Sequence, residues 1–171
     1  MNFCKNIERK EIHLPTELTM DFVPDFISTV NEIISISSKE RINLYCSSYG
    51  GDLYAAFGII DYINSLDIKI NTICFGAAIS AASIILASGT GERVMSKNST
   101  VMVHEGSAFE AGKTTDVMKG VDHLKDLQKN INKILGEVSN KDAAFWEKIQ
   151  RNDTYLTAPM CLDYGIIDKI A

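Results

Sequence analysis

Between residues 11 and 87 one pattern occurs three times: a short apolar run rich in β-formers, a tight link, and a segment with apolar residues at helical spacing. The first unit is EIHLP, residues 11 to 15, followed by Pro24 to Ser37 with Phe26, Ile27, Val30, Ile33 and Ile34 on one side. In the second, a strand from Ile42 to Cys46 leads through a Gly50-Gly51 turn into a helix from Leu53 to Leu66. The third runs from a strand at Ile70 to Phe75, through a turn at Gly76, into a small-residue helix from about Ile79 to Ala87. Strand-helix units joined by short links build a mostly parallel sheet with helices packed over it, the mark of an α/β domain. Sites in such sheets gather where strand carboxyl ends meet helix N-termini, and both the Gly50-Gly51 turn and the Gly76 to Ser80 turn lie at that edge.

After Glu92 the pattern changes to two short strands, Arg93 to Met95 and Thr100 to His104, and a Gly-bearing segment from Glu105 to Gly112. A long helix follows from Thr114 to about Val138. Val117, Val121, Leu124, Leu127, Ile131, Ile134, Leu135 and Val138 form its apolar stripe. A helix of some 25 residues reaches roughly 37 Å, more than a domain of this size covers, so part of the stripe is expected to meet another subunit. Shorter helices at Ala143 to Gln150 and Pro159 to Tyr164 lead to a last strand, Ile166 to Ile170. No linker interrupts the pattern, and the 171 residues fit one domain.

A net charge of -5 without any basic run argues against duplex nucleic acid or an anionic membrane surface as a partner. Cys4, Cys46, Cys74 and Cys161 are scattered without a CxxC pair, so neither a disulfide framework nor a zinc site is indicated. Together with an N-terminus that lacks the apolar core of a signal peptide, this points to a reducing cytoplasm. From Ile70 to Gly91 no charge occurs, close to the ~20 residues of a spanning helix. Its β-like start, the breaker Gly76 and a wealth of Ala and Ser instead indicate a buried strand followed by a buried helix.

Three side chains stand out for chemistry. Ser80 lies at a strand-to-helix turn, where an exposed hydroxyl and free backbone N–H groups come together, although serine is also a common helix cap. His104 closes the apolar strand Val101-Met102-Val103 and leads into a Gly-containing loop, as suits a base projecting into a cleft. His13, within the first strand, and His123, among charged residues of the long helix, read as structural or solvated. Asp153 precedes the strand-like Thr154-Tyr155-Leu156, where a carboxylate can orient a histidine.

At these residues the chain resembles a known family. TICFGAAISAASIILASGTGERVMSKNSTVMVHE, residues 72 to 105, is similar to the segment of the Clp protease proteolytic subunit whose nucleophile lies in a TICxGxAAS-like turn and whose base ends a VMIH-like strand. NLYCSSYGGDLYAAFGIIDYI, residues 43 to 63, looks like its strand, NSPGG turn and helix. DTYLTAPMCLDYGIIDKI, residues 153 to 170, looks like its closing DxFLSAxEAxxYGLIDxI motif. The resemblance runs from residue 11 onward, and with a chain this short it implies a compact or phage-encoded homologue as the expectation. It implies a crotonase-like spiral of ββα units with a protruding handle, about residues 105 to 138. It also implies a Ser80, His104 and Asp153 triad, backbone oxyanion donors at Gly51 and Ala81, and a substrate-pairing strand holding Gly106, Ser107 and Gly112. The activity implied is an ATP-independent serine endopeptidase core needing no metal or cofactor.

By the same resemblance, stacked heptameric rings of fourteen subunits enclose a chamber for peptides or unfolded proteins, with an AAA+-type unfoldase as a further partner. The sequence departs from the pattern at Tyr49, where Pro is usual, and at Ile79, where Ala is usual. Asn152 and Thr154 flank Asp153 where an arginine that couples the rings is common, with Arg151 close by. The first strand is preceded by about ten residues, fewer than the family's axial hairpin uses. The competing readings are a catalytically silent ring subunit, a crotonase-like acyl-CoA enzyme that needs no such triad, and a Ser-Lys peptidase using Lys97.

Overall fold

The computed structural model describes residues 4–37, 40–107, 109 and 111–171. Its elements in chain order are β1 (Lys5–Asn6), β2 (Glu11–His13), α1 (Phe22–Ile36), β3 (Ile42–Tyr45), α2 (Leu53–Asn64), β4 (Ile70–Cys74), β5 (Ala77–Ile79) and α3 (Ala81–Ala87). There follow β6 (Arg93–Met95), β7 (Thr100–Val103), α4 (Thr114–Val138), α5 (Ala143–Gln150), β8 (Thr154–Thr157), α6 (Ala158–Tyr164) and β9 (Lys169–Ile170).

Two sheets result. The larger has the order β1-β2-β3-β4-β6-β9, parallel throughout except for the antiparallel β1. The smaller has the order β5-β7-β8. The chain alternates between them, since β4 joins the large sheet and β5 the small one, then β6 the large and β7 the small. The earlier units do the same with single bridges, Leu18 to Gly51 and Ser48 to Ala78. This is the expected α/β spiral of ββα units. Its consequence is positional: the second extended piece of each unit stacks on that of the next, which carries the turn at Gly51 beside the turn at Ser80.

Local chemistry accounts for the helices. Phe22, Val23, Phe26, Val30 and Ile33 of α1 bury one stripe, and Pro24 falls in the first turn, where its missing N–H costs nothing. Asp52 caps α2 by accepting from Tyr54 N at 2.7 Å and Ala55 N at 3.2 Å. The whole of α3 is buried, so the uncharged stretch from Ile70 to Gly91 divides into β4, β5 and α3. Among the described residues no helix is long and apolar enough to cross a membrane.

Three expectations are corrected. Residues 77 to 79 form the strand β5 and the helix starts at Ala81, because Ala77, Ala78 and Ile79 find a parallel partner in Thr100, Val101 and Met102, a pairing no local pattern announces. The strand β1 was not foreseen, being two exposed polar residues; it pairs with Ile12 and Glu11, and Lys5 Nζ also donates to Thr29 Oγ1 at 3.2 Å. The last strand is Lys169–Ile170 and not Ile166 to Ile170, because the N–H groups of Ile166 and Ile167 still donate to Cys161 O of α6. Of the stretch expected to pair with substrate, Ala108 and Glu110 lie outside the described residues.

The helix α4 spans 25 residues, as its stripe predicts. Ile131, Asn132 and Leu135 are its buried residues, whereas Met118 and Val121, a few turns earlier, are exposed. Its carboxyl end packs on α3 and α5, and its amino half keeps apolar side chains open.

Candidate active site

Ser80 adopts φ 54° and ψ -125°, a left-handed conformation that a residue with a side chain rarely takes. Such a conformation costs about 1–3 kcal/mol and persists only where the surroundings hold it. Here its N–H donates to Met102 O of β7 at 2.8 Å, while its carbonyl accepts from Ser83 N at 2.9 Å and from Ser83 Oγ at 2.6 Å. The sharp turn from β5 into α3 thus directs the hydroxyl away from both elements.

The hydroxyl meets a base: Ser80 Oγ stands 2.7 Å from His104 Nε2, a hydrogen bond of ordinary length. Parallel pairing of β5 with β7 sets Ile79 opposite Met102, so the residues that follow those strands emerge on the same edge. On the other side of β7, the antiparallel β8 pairs Thr154 with Val103, which brings Asp153 level with His104. Asp153 Oδ1 lies 3.8 Å from His104 Nδ1, the Asp153 side chain being 65% exposed and that of His104 28%. At that separation the carboxylate acts on the imidazole through charge alone, outside hydrogen-bond distance.

Gly51 and Ala81 border the same space. Gly50 and Gly51 have φ of 81° and 138°, and a Cβ on Gly50 would lie 2.5 Å from Ile79 O and 2.9 Å from Ala81 N. A Cβ on Gly51 would lie 2.3 Å from Leu18 O. Only glycines allow this turn to close on the Ser80 turn. A cavity of about 80 Å³ lies at the junction, lined by Gly51, Ser80, Ala81 and His104 together with Gly106 and Ser107. No acceptor among the described residues takes the N–H of Gly51 or of Ala81. Leu53, Ile84, Val103, Ile131 and Leu135 give the cavity an apolar wall, and Gln150 adds one amide. Gly112, with φ 150°, stands outside this lining, just before α4. Among the described residues no group of three or more His, Cys, Asp and Glu side chains is placed to hold a metal ion.

The other histidines stand elsewhere. His13 stacks on Tyr45 at 4.4 Å, and Tyr45 on Phe75 at 6.2 Å, a row of rings across β2, β3 and the end of β4. His123 on α4 bonds Tyr54. Tyr49 is 69% exposed beside the Gly50-Gly51 turn, while Ile79, half-buried in β5, is held by Ser48 O.

Sequence reasoning did not single out the polar side chains behind the His104 loop. Gly106 N donates to Gln128 Oε1 at 2.8 Å and Glu105 N to the main-chain oxygen of Gln150 at 2.8 Å. Gln128 Nε2 in turn donates to Asn132 Oδ1 at 3.1 Å and Gln150 Oε1 at 3.2 Å, and Gln150 Nε2 donates to Asn132 Oδ1 at 2.8 Å. One signal was there to find. Val121, Leu124, Ile131 and Leu135 keep a four-three spacing that places Gln128 inside the apolar stripe.

Known proteins are similar to this chain over most of its length. The ATP-dependent Clp protease proteolytic subunit of Ligilactobacillus salivarius is 29% identical over 169 residues, covering 98% of this chain and 86% of that protein. The ATP-dependent Clp protease proteolytic subunit 1 of Cutibacterium acnes is 32% identical over 171 residues, covering 98% and 79%. The corresponding subunit of Porphyromonas gingivalis is 35% identical over 137 residues, covering 80% and 62%. The family profile described as Clp protease matches residues 3–171, and the chain therefore belongs to the Clp protease family.

Proposed function

We propose that the chain is the serine endopeptidase subunit of a compartmental protease, with Ser80 as nucleophile, His104 as general base and acid, and Asp153 as the carboxylate that steadies the imidazolium. The observation that carries this is the 2.7 Å contact of Ser80 Oγ with His104 Nε2 beside two unengaged N–H groups, in a chain of the Clp protease family.

The reaction follows from the geometry. Ser80 Oγ bonds to the scissile carbonyl carbon while its proton passes to His104 Nε2. The carbonyl oxygen becomes an oxyanion, held by the N–H groups of Gly51 and Ala81, two residues that line the cavity beside Ser80. His104 then delivers the proton to the amide nitrogen as the C–N bond breaks, leaving an ester on Ser80. Water attacks that ester, its proton returns through His104 to Ser80 Oγ, and the acid product departs. Gly106 and Ser107 border the same cavity, and with Gly112 further along they form the stretch along which an extended substrate lies. Main-chain pairing selects weakly for sequence, so selectivity falls to access.

Access is supplied by assembly. The uncovered apolar side chains of α4 suit contacts between copies, and stacked heptameric rings of this single-domain subunit enclose the chamber, in the cytoplasm, with an unfoldase feeding substrate to it. A catalytically silent ring subunit has no need of an aligned base, and an acyl-CoA enzyme has no need of a nucleophilic serine.

The test is turnover of a short fluorogenic peptide. Ser80→Ala lowers turnover by at least about a thousandfold and abolishes labelling by a fluorophosphonate, with the native mass unchanged. Equal turnover in both proteins removes Ser80 as the nucleophile.

A further inference from the structure

The amide cluster of Gln128, Asn132 and Gln150 lies behind the cavity, between α4, α5 and the loop that follows His104. Gln150 is 2% exposed and Asn132 6%. Burying three carboxamides at a helix junction is unfavourable unless each finds partners, and these three satisfy one another around a single acceptor, Asn132 Oδ1. The second amide hydrogen of Gln150 goes to Trp146 O at 2.9 Å. What the cluster offers beyond itself is one acceptor, Gln128 Oε1, and it is spent on the N–H of Gly106.

That bond turns the loop in a defined way. With the N–H groups of Glu105 and Gly106 tied back to Gln150 and Gln128, the N–H of Ser107 and the carbonyls of Gly106 and Ser107 have no partner among the described residues. Gly106 and Ser107 line the cavity at Ser80. Gly106 runs close to α2 and α4, where a Cβ would make ordinary contact, 3.4 Å from Leu124 Cδ1 and 3.5 Å from Leu53 Cδ1.

We infer that Gln128, backed by Gln150 and Asn132, is a positioning residue that fixes residues 105 to 107 as a ready-made edge for the main chain of an extended substrate. This rests on the peptidase reading above and deepens it: affinity for long peptides depends on a side chain of the handle helix that touches no reacting atom. Among the described residues no strand pairs with this loop, so without the Gln128 bond its edge must be ordered anew by each substrate, and that cost falls on binding.

The experiment compares Gln128→Ala and Gln128→Glu with the wild-type assembly, using a hexapeptide reporter that reaches along residues 105 to 107 and a dipeptide reporter that does not. Competent sites are counted by fluorophosphonate titration, so that KM and kcat are compared per site. Gln128 is half-buried on a helix surface, and its truncation leaves the core intact. In Gln128→Ala the KM for the hexapeptide rises about tenfold with kcat within about twofold, and the rise for the dipeptide is under about threefold. Gln128→Glu keeps an acceptor for Gly106 N–H but sets its second oxygen against Asn132 Oδ1 and Gln150 Oε1, so its hexapeptide KM rises clearly less than that of Gln128→Ala. A fall in kcat without a change in KM, equal losses for both reporters, or a Gln128→Glu as impaired as Gln128→Ala overturns the inference. A wild type that cleaves neither reporter removes the peptidase reading itself, a failure seen before any variant is made.

Discussion

His104 Nδ1 and Asp153 Oδ1 stand 3.8 Å apart, while the other nitrogen of the same ring stands 2.7 Å from Ser80 Oγ. The base is therefore tightly joined to the nucleophile and loosely joined to the acid. An acid in water and beyond hydrogen-bond distance contributes less than the roughly ten-thousandfold of a closed triad. We expect Asp153→Asn to lower kcat about a hundredfold, and Asp153→Glu, whose extra methylene extends the carboxylate toward Nδ1, to retain more activity than Asp153→Asn. Steady-state peptide hydrolysis decides this; Asp153→Glu falling below Asp153→Asn shows that reach is not what the acid lacks.

The amino half of α4 gives a second prediction. Met118 is 55% exposed and Val121, at the start of the stripe that buries Ile131 and Leu135 further on, is 38% exposed. Exposed substitutions of this kind change a subunit's own stability by about 0.5 kcal/mol or less. The pair Met118→Asp and Val121→Asp should therefore leave the fold unchanged by circular dichroism and shrink the particle in native mass spectrometry. An undiminished particle means that copies do not meet on this face.

The cysteines give a third. Burial pushes the Cys74 thiol up to about 11 and the Cys161 thiol up to about 12, and raises Cys46 well above the usual thiol range, whereas Cys4 is exposed. Thiolate is the reactive form, so a thiol reagent at pH 8 modifies one cysteine per native chain quickly and all four in denaturant. Rapid loss of two or more thiols in the native protein shows that burial does not protect Cys46, Cys74 and Cys161.

How far the residues announced this arrangement depends on the range of each interaction. The strands β3 and β4 and the helices α1, α2 and α4 are legible because their apolar spacing is local, and Asp52 advertises the start of α2 for the same reason. Read from their own surroundings Ser80, His104 and Asp153 are separate suggestions, and in the sequence only the family resemblance joined them into a triad. What joins them is the register of β7 between β5 and β8, and a pairing over more than twenty residues leaves no local trace. The strand β5 was hidden for that reason, three small or branched residues reading equally well as the start of α3. Gln128 was passed over because its value lies in Gly106, twenty-two positions earlier.

The last prediction concerns the clamp that closes the large sheet. Arg93 Nη2 donates to Asp168 Oδ1 at 2.6 Å and Nε to Oδ2 at 3.1 Å, while Nη1 donates to Ala87 O at 3.1 Å and Val138 O at 2.7 Å, at the carboxyl ends of α3 and α4. One guanidinium thus joins two helix ends to the β6–β9 edge. Arg93→Ala should cost about 2–3 kcal/mol, since it also strands two helix-terminal carbonyls. Asp168→Asn should cost only about 1 kcal/mol, its side chain being 43% exposed and partly screened. Hydrogen bonds from the Arg93 side chain, and next from its backbone N–H, hold the Asp168 carboxyl below the usual carboxylate range. With its value depressed in the folded chain, the carboxylate contributes fully above its unfolded value of about 3.9 and loses that contribution as pH falls through the folded value. Urea unfolding followed by Trp146 fluorescence, at one fixed subunit concentration, should therefore separate wild type from Asp168→Asn at pH 7 and bring them together well below pH 4. A gap that persists or widens on acidification shows that Asp168 acts through packing and not through its charge.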